Sequence, residues 1–201
     1  MLGIDRASLP QPGEVFLGFS TREGVLSWFI RRSTGSPASH SFLLFFSEQF
    51  DQHMVLEVQG RGFVQVPWRV WGDKNKLLAL YRIDRSASEL DSAMSQLGAR
   101  LGDPYDTFSL IGFMLIYVVP IWDRNDLDDK CKLICSEMVA LFLRWSNVPL
   151  QHHIDRVVPH DLWNLANDYT ADFEVKFESS RAGRKLSSVR KRARELLDPK
   201  S

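Results

Sequence analysis

The chain has 201 residues, of which 44% are hydrophobic and 25% are charged, enough apolar side chains for one globular domain with a substantial core. Its formal net charge of zero excludes a chain-wide electrostatic attraction to nucleic acid or anionic membranes. With two cysteines only, a disulfide-rich secreted scaffold is also excluded. We expect a leader over residues 1–12, one domain over residues 13–180 and a basic tail over residues 181–201.

The beginning of the chain carries no basic stretch followed by an apolar run, so no signal peptide is predicted. The longest apolar run, residues 110–121, is too short to cross a bilayer as a helix, and no transmembrane segment is expected. These features favour synthesis in the cytoplasm, which is compatible with delivery by a phage or a secretion system.

The first half of the chain is dominated by predicted strands. Runs of apolar and aromatic residues predict strands over residues 14–19, 40–46, 54–59, 63–66 and 77–83. Glycines between the third and fourth of these runs indicate a hairpin turn. One apolar stripe, over residues 23–32, predicts a helix between the first two strands.

The second half of the chain is dominated by predicted helices. Ser86 and Glu89 form a capping-box pattern at the start of a helix that ends near Leu101. Further segments are predicted in chain order: helices over 107–119, 133–145, 160–166 and 185–197, a loop over 121–130 and a strand over 172–177. Strands first and helices later are typical of an α+β fold with an antiparallel sheet.

Cys135 lies in the first turn of the helix predicted over residues 133–145. A cysteine attacks as the thiolate, and the unpaired N–H groups and dipole of a helix N-terminus favour that anion. The same N–H groups can stabilise a developing oxyanion. A buried cysteine is more often an inert apolar residue, and spacing alone leaves that alternative open.

His40 and Glu57 are the polar residues that a cysteine nucleophile would need. His40 begins a strongly apolar strand, and Glu57 interrupts another, so each is costly to bury unless it is paired. A carboxylate beside a histidine fixes its tautomer and stabilises its charged form. The three residues therefore make a candidate nucleophile, base and orienting group, although His40 and Glu57 would also fit a core or solvent-facing role.

Six blocks of the chain resemble, in order, the motifs of permuted NlpC-type papain-like cysteine peptidases and amidases, a superfamily with lecithin retinol acyltransferase-like relatives. The blocks are PGEVFL, TGSPASHSFLLF, VLEVQGRGFVQVPW, LGDPYDTFSLIGF, ICSEMVALFLR and VVPHDLW. They extend from Pro12 to Trp163, and C-S-E-M-V is the most specific. One departure follows the histidine, where the family often has a small residue and this chain has Ser41, Phe42 and Leu43.

The resemblance implies a permuted papain-like fold, with an antiparallel sheet packed against helices and the nucleophile at a helix N-terminus. It implies that Cys135 is the nucleophile, His40 the general base and then acid, and Glu57 the residue that orients His40. Tyr105 would lie near the nucleophile and help to bind the reacting carbonyl, together with the backbone N–H of Cys135. No cofactor is implied.

These residues are compatible with three functions. The first is a cysteine hydrolase that cleaves an amide of a cell-wall-type peptide through an acyl-thioester. The second is a lipid acyltransferase or a lipid amidase or esterase, for which the apolar residues 110–121 would face lipid instead of packing in the core. The third is a non-catalytic structural or binding component, such as a phage or secretion-system protein, that retains the fold.

Two further features carry alternatives. The tail has eight Lys or Arg residues against two acids over residues 181–201, which is typical of a solvated arm but would also fit a nucleic acid or protein partner between Arg181 and Arg194. Cys131, Cys135 and the pair His152 and His153 offer metal ligands, but the cysteine spacing lacks the second half of a structural zinc site, so no metal is predicted.

Overall fold

The computed structural model describes residues 4–59, 62–102, 135–150, 153–154 and 157–179. Within these ranges the strands are β1 Val15–Thr21, β2 His40–Ser47, β3 Gln52–Gln59, β4 Gly62–Pro67, β5 Lys76–Ile83 and β6 Phe173–Glu178. The helices are α1 Val25–Thr34, α2 Trp68–Gly72, α3 Ala87–Gly98, α4 Cys135–Trp145 and α5 Pro159–Asp168, and Arg6–Ser8 forms a 3-10 turn.

The predicted α+β class with an antiparallel sheet is confirmed. Each strand and helix predicted within the described ranges is found, with its ends shifted by up to about three residues as helix and strand ends usually are. The capping box is also confirmed, since the Ser86 side chain accepts from the Glu89 amide and the Glu89 side chain accepts from the Ser86 amide. The segments predicted over 107–119, 121–130 and 185–197 lie outside the described residues.

One helix, α2, was not predicted. It has five residues, which is too short to show a helical stripe, and it follows directly from Pro67 at the end of β4. Among the described residues, no helix combines the length and the apolar character needed to cross a bilayer.

The six strands form one sheet in the order β4-β3-β2-β1-β5-β6, and every neighbouring pair is antiparallel. Because β2 is paired on both sides, by β1 and by β3, its buried residues have neighbours along both edges. A tight turn joins β2 to β3, with Asp51 in the left-handed region at φ 47°. The start of β2 therefore lies beside the end of β3.

The two faces of the sheet bury different side chains. The helical face packs against α3, α4 and α5, whose buried residues include Leu97, Phe142 and Trp163. The aromatic face packs against α2 and the N-terminal segment. Its buried residues are Leu9, Phe16, Phe42, Leu44, Val55, Trp71, Leu77 and Leu80. Full burial of one such apolar side chain is worth roughly 1.5–3 kcal/mol, so both faces contribute to stability.

Gly18 in β1 makes room for Phe42 on the neighbouring strand. A Cβ atom built at Gly18 would lie 2.1 Å from Cζ of the Phe42 ring, closer than atoms can approach. The glycine thus lets the Phe42 ring lie across β1 and contact Trp71, with a ring centroid distance of 4.3 Å. Phe42 and Trp71 together form the aromatic cluster of this face.

Candidate active site

His40 and Glu57 form a hydrogen-bonded pair between neighbouring strands. The register that pairs Leu43 with Leu56 brings the end of β3 beside the start of β2. Because alternate residues share a face, Glu57 lies on the aromatic face with Val55, and His40 lies there with Phe42. The His40 Nε2 atom is 2.6 Å from Glu57 Oε2.

Glu57 is fully buried, with a side chain that is 0% exposed, and it is surrounded by donors. Besides His40, the Trp71 indole donates from Nε1 to Oε2 over 3.0 Å, and the Gln59 amide donates to Oε1. The Arg22 guanidinium lies close by, with Nη2 3.9 Å from Oε1. A buried carboxylate needs such partners, since an isolated charge would be very costly there.

These partners determine the charge of Glu57. Burial alone would raise its pKa, but the hydrogen bond and charge of His40 and the hydrogen bonds from Trp71 and Gln59 together lower its pKa below the ordinary value of a glutamate. Glu57 is therefore an ionised acceptor at neutral pH, as a group that orients an imidazolium must be.

Cys135 approaches His40 from the other side of the sheet. It belongs to α4, which packs on β2 and β3, and its side chain is partly buried against the core of the helical face. His40 makes a hydrogen bond to the Cys135 sulfur. Since Nε2 of His40 is bound to Glu57, the ring nitrogen that remains for the sulfur is Nδ1. His40, at the very start of β2, thus connects a carboxylate on one face with a thiol on the other.

The surroundings of Cys135 favour its anion. Burial raises the pKa of the thiol, but the charge of His40, its hydrogen bond, and the hydrogen bond from the backbone amide of Ser41 outweigh burial and lower the pKa of Cys135 overall. The Ser41 hydroxyl is buried and makes no hydrogen bond among the described residues, so the Ser41 group that donates to the sulfur is the backbone amide.

His40 responds in the opposite sense. Burial lowers the pKa of its imidazole, but the negative Cys135 sulfur and the Glu57 carboxylate, each also hydrogen-bonded to the ring, raise the pKa of His40 to about 9. Its side chain is 14% exposed, so the ring is largely shielded from solvent. A lowered thiol pKa and a raised imidazole pKa favour a thiolate–imidazolium pair at neutral pH.

A chain of buried hydroxyl groups holds the loop before His40. Ser27 of α1 lies 2.6 Å from the Ser39 hydroxyl and 3.2 Å from the Thr21 hydroxyl. The Ser39 backbone amide also donates to the Ser20 carbonyl over 3.1 Å. These bonds fix the backbone next to His40, so that its ring is positioned by a rigid strand end and not by a free loop.

The structure places His40 between Glu57 and Cys135, in contact with each, while the catalytic roles of the three residues stay predictions. Tyr105, Cys131, His152 and the tail over residues 181–201 lie outside the described residues. Within the described part of the chain, no group of three or more His, Cys, Asp or Glu side chains is arranged to hold a metal ion.

The partners of Glu57 were not predicted from the sequence. Gln59 follows Glu57 by two positions in β3, a spacing that puts both side chains on one face and that could have identified it. Trp71 gave no such signal, because its contact depends on the unpredicted helix α2. Trp68 lines a surface groove of about 670 Å³ together with Phe46 and His53, whereas Trp71 is buried.

Comparison with known proteins adds no family to this description. No protein-family model matches the chain, and no curated protein matches it in sequence.

Proposed function

We propose that the chain is a cysteine hydrolase with a permuted papain-like fold, which cleaves an amide through an acyl-thioester intermediate. The observation that carries the proposal is the arrangement around His40, with a buried carboxylate on Nε2 and the Cys135 sulfur on the other ring nitrogen. The chain order His40, Glu57, Cys135 is what a permuted arrangement requires, because the base precedes the nucleophile. The leading substrate is a peptide amide of the kind found in cell-wall stems.

In the first half of the reaction the Cys135 thiolate attacks the carbonyl carbon of the amide and forms a carbon–sulfur bond. The carbonyl π electrons move to oxygen and give a tetrahedral oxyanion. The His40 imidazolium then gives its proton to the amide nitrogen, the carbon–nitrogen bond breaks, and the amine leaves. An acyl-thioester on Cys135 and a neutral His40 remain.

In the second half a water molecule replaces the amine. Neutral His40 accepts a proton from the water, which attacks the thioester carbon, and collapse of the second oxyanion expels the thiolate. The carboxylic acid product leaves, and the imidazolium is restored beside the thiolate. Glu57 stays ionised throughout, stabilising the charged ring and holding Nε2–H in one direction.

The backbone N–H of Cys135 is the proposed first donor to the oxyanion, and Tyr105 is the second donor that the resemblance implies. Each such donor is typically worth about 2.7–4 kcal/mol of transition-state stabilisation. Ser41 acts earlier in the cycle, because its backbone amide stabilises the thiolate before attack.

The direct test is site-resolved alkylation of the two cysteines by iodoacetamide as a function of pH, read by mass spectrometry. We expect Cys135 to be alkylated at lower pH than an ordinary thiol and faster than Cys131, and we expect His40→Ala to move the Cys135 profile to higher pH. An ordinary thiol profile at Cys135 in the unchanged protein would remove the nucleophile from the proposal.

A second measurement tests the chemistry. The protein is incubated with peptide amides of cell-wall composition and, separately, with N-acyl amines of lipid type, and product formation is compared with that of Cys135→Ala. Loss of a product in the variant supports a cysteine hydrolase and identifies the substrate class. Product formation that persists undiminished in Cys135→Ala would overturn the proposal that Cys135 is the nucleophile of a hydrolase.

A further inference from the structure

We propose that Trp71 is a positioning residue for the site, one that fixes the Glu57 carboxylate and, through it, the orientation of His40. This inference rests on the proposed function, because it assigns a role in thiolate activation to a residue that touches neither the sulfur nor a substrate. It is derived from the bonds that Trp71 makes and from the rings that hold it in place.

The Trp71 indole and the His40 ring share one carboxylate oxygen. Nε1 of Trp71 lies 3.0 Å from Glu57 Oε2, the atom that is 2.6 Å from His40 Nε2. A carboxylate oxygen accepts in two lone-pair directions, so the indole occupies one of them and leaves the other for His40. With Gln59 bound to Oε1, rotation of the carboxylate would break bonds at both of its oxygens.

Trp71 is itself held by a closed ring of polar contacts. Asn75 donates from Nδ2 to the Trp71 carbonyl over 2.8 Å and accepts at Oδ1 from Arg22 Nε over 2.5 Å. The Arg22 guanidinium also lies near Glu57, with its Nη2 atom 3.9 Å from Oε1. The ring Glu57, Trp71, Asn75, Arg22 therefore links the strand that carries the carboxylate to α2 and to the end of β1.

Two aromatic rings pack against the indole. Trp68 stacks on it with centroids 5.0 Å apart and an angle of 12° between the planes, and Phe42 packs at 4.3 Å. Trp71 is only 1% exposed, so its N–H cannot form a replacement hydrogen bond with bulk water if Glu57 moves. The indole is thus a rigid donor, and a rigid donor costs little entropy when it holds a second group in place.

A purely structural tryptophan would behave differently. If Trp71 served only to fill the aromatic face, phenylalanine would preserve most of its apolar packing and leave the thiol unchanged. If it positions Glu57, loss of the N–H alone is enough to loosen His40 and to weaken the thiolate. The charged and titratable groups around this carboxylate are Arg22 and His40, with Cys135 beyond the ring, and Trp71→Phe leaves all three present.

The experiment compares Trp71→Phe with Trp68→Phe, a matched control that removes an equal volume from the same ring stack but no bond to Glu57. The readout is the pH profile of Cys135 alkylation by iodoacetamide, with thermal unfolding measured in parallel. We expect the acid limb of the Trp71→Phe profile to lie about one pH unit higher, a roughly tenfold loss of rate on that limb. Trp68→Phe should keep the profile of the unchanged protein.

The outcomes separate this inference from the proposed function. If the unchanged protein shows an activated thiol and Trp71→Phe retains the same profile, the positioning role is wrong and the hydrolase proposal stands. If the unchanged protein shows an ordinary thiol, the hydrolase proposal fails, and the role assigned to Trp71 fails with it. Equal shifts in both variants would assign the effect to packing and overturn the role of the N–H.

A second measurement applies if Trp71→Phe does not fold. In the unchanged protein labelled with ¹⁵N-tryptophan, the Trp71 indole signal is assigned by elimination with phenylalanine substitutions at the other tryptophans. We expect this N–H to exchange slowly with solvent and to shift over the pH range in which Cys135 alkylation rises. An indole signal that stays constant over that range would overturn the inference.

Discussion

The two faces of the sheet carry out different tasks. The helical face is covered by α3, α4 and α5 and is filled mainly with aliphatic and aromatic side chains. The aromatic face buries fewer apolar residues, and among them it buries an ionised glutamate with its partners His40, Trp71 and Gln59. The first face stabilises the fold, while the second also fixes the orientation of polar groups.

The site lies where the two faces meet. Cys135 comes from the helical side and Glu57 from the aromatic side, and His40 connects them from the end of β2. Substitutions on the helical face should therefore change mainly the free energy of unfolding, whereas those on the aromatic face should change mainly the reactivity of the thiol. Four experiments test that separation.

The largest expected effect is on the helical face. Phe142 is fully buried there, and Phe142→Ala should lower the free energy of unfolding by about 3–5 kcal/mol through lost burial and a residual cavity. Urea unfolding measures the loss, and Phe50→Ala is the control, since Phe50 is 53% exposed. A loss below about 1 kcal/mol would show that this face is not the main source of stability.

Gly18→Ala tests whether the aromatic cluster holds the site. The added methyl would overlap the Phe42 ring, so Phe42 must shift from Trp71, at a cost of about 1–3 kcal/mol. We also expect slower alkylation of Cys135 near pH 6. Gly98→Ala in α3 is the control, because a Cβ there meets no atom within 4 Å and should change stability by less than about 1 kcal/mol.

Glu57→Gln removes the charge of the buried carboxylate and keeps its shape. The pKa of His40 should then fall from about 9, since one of its two negative partners is gone. The acid limb of the Cys135 alkylation profile should shift to higher pH by about one pH unit, which means slower alkylation at a given pH on that limb. The control is Glu174→Gln, which changes an exposed ion pair on β6. Unchanged alkylation in Glu57→Gln would exclude Glu57 from the activation of the thiol.

The smallest expected effect concerns stability and pH. The pKa of His40 rises on folding from 6.5 to about 9, and the pKa of Cys135 falls from 9.0. The contribution of His40 to the free energy of unfolding is complete below pH 6.5 and is lost as the pH rises toward 9. The contribution of the Cys135 thiolate is complete above pH 9 and is lost as the pH falls. Between pH 6.5 and 9 the two pH dependences therefore oppose each other.

Cys135→Ala should expose the His40 contribution alone. Glu57 still lies beside the ring, but the Cys135 sulfur that does most to raise the pKa of His40 is gone. We therefore expect the stability of the variant, relative to the unchanged protein, to fall as the pH rises above 6.5, by less than about 1.4 kcal/mol per pH unit. Urea unfolding at several pH values measures the difference. Parallel curves for the two proteins would mean that His40 and Cys135 are not coupled.

Local patterns predicted most of the fold. The apolar runs and the capping box at Ser86 gave the strands and α3 within a few residues, because these signals depend on neighbours in sequence. Helix α2 was not predicted, because five residues are too few to show a periodic pattern of apolar residues. Pairing of Glu57 with His40 was inferable from the cost of burying two polar residues in adjacent strands.

The remainder of the site depends on tertiary packing. Trp71 reaches Glu57 only because α2 follows β4 directly and folds back over the aromatic face. Ser41 reaches the Cys135 sulfur only because α4, far along the chain, docks on β2. No local pattern encodes either contact, so neither residue could be assigned from sequence alone.

The distance along the chain between these elements has a consequence for biosynthesis. The hairpin of β2 and β3 brings His40 and Glu57 together from positions only 17 residues apart, while Cys135 joins them from a helix made much later. Contacts between distant segments form slowly, because a long loop must close first. We therefore expect a nascent chain on the ribosome to carry a thiol of ordinary reactivity, which becomes activated when α4 docks on the sheet.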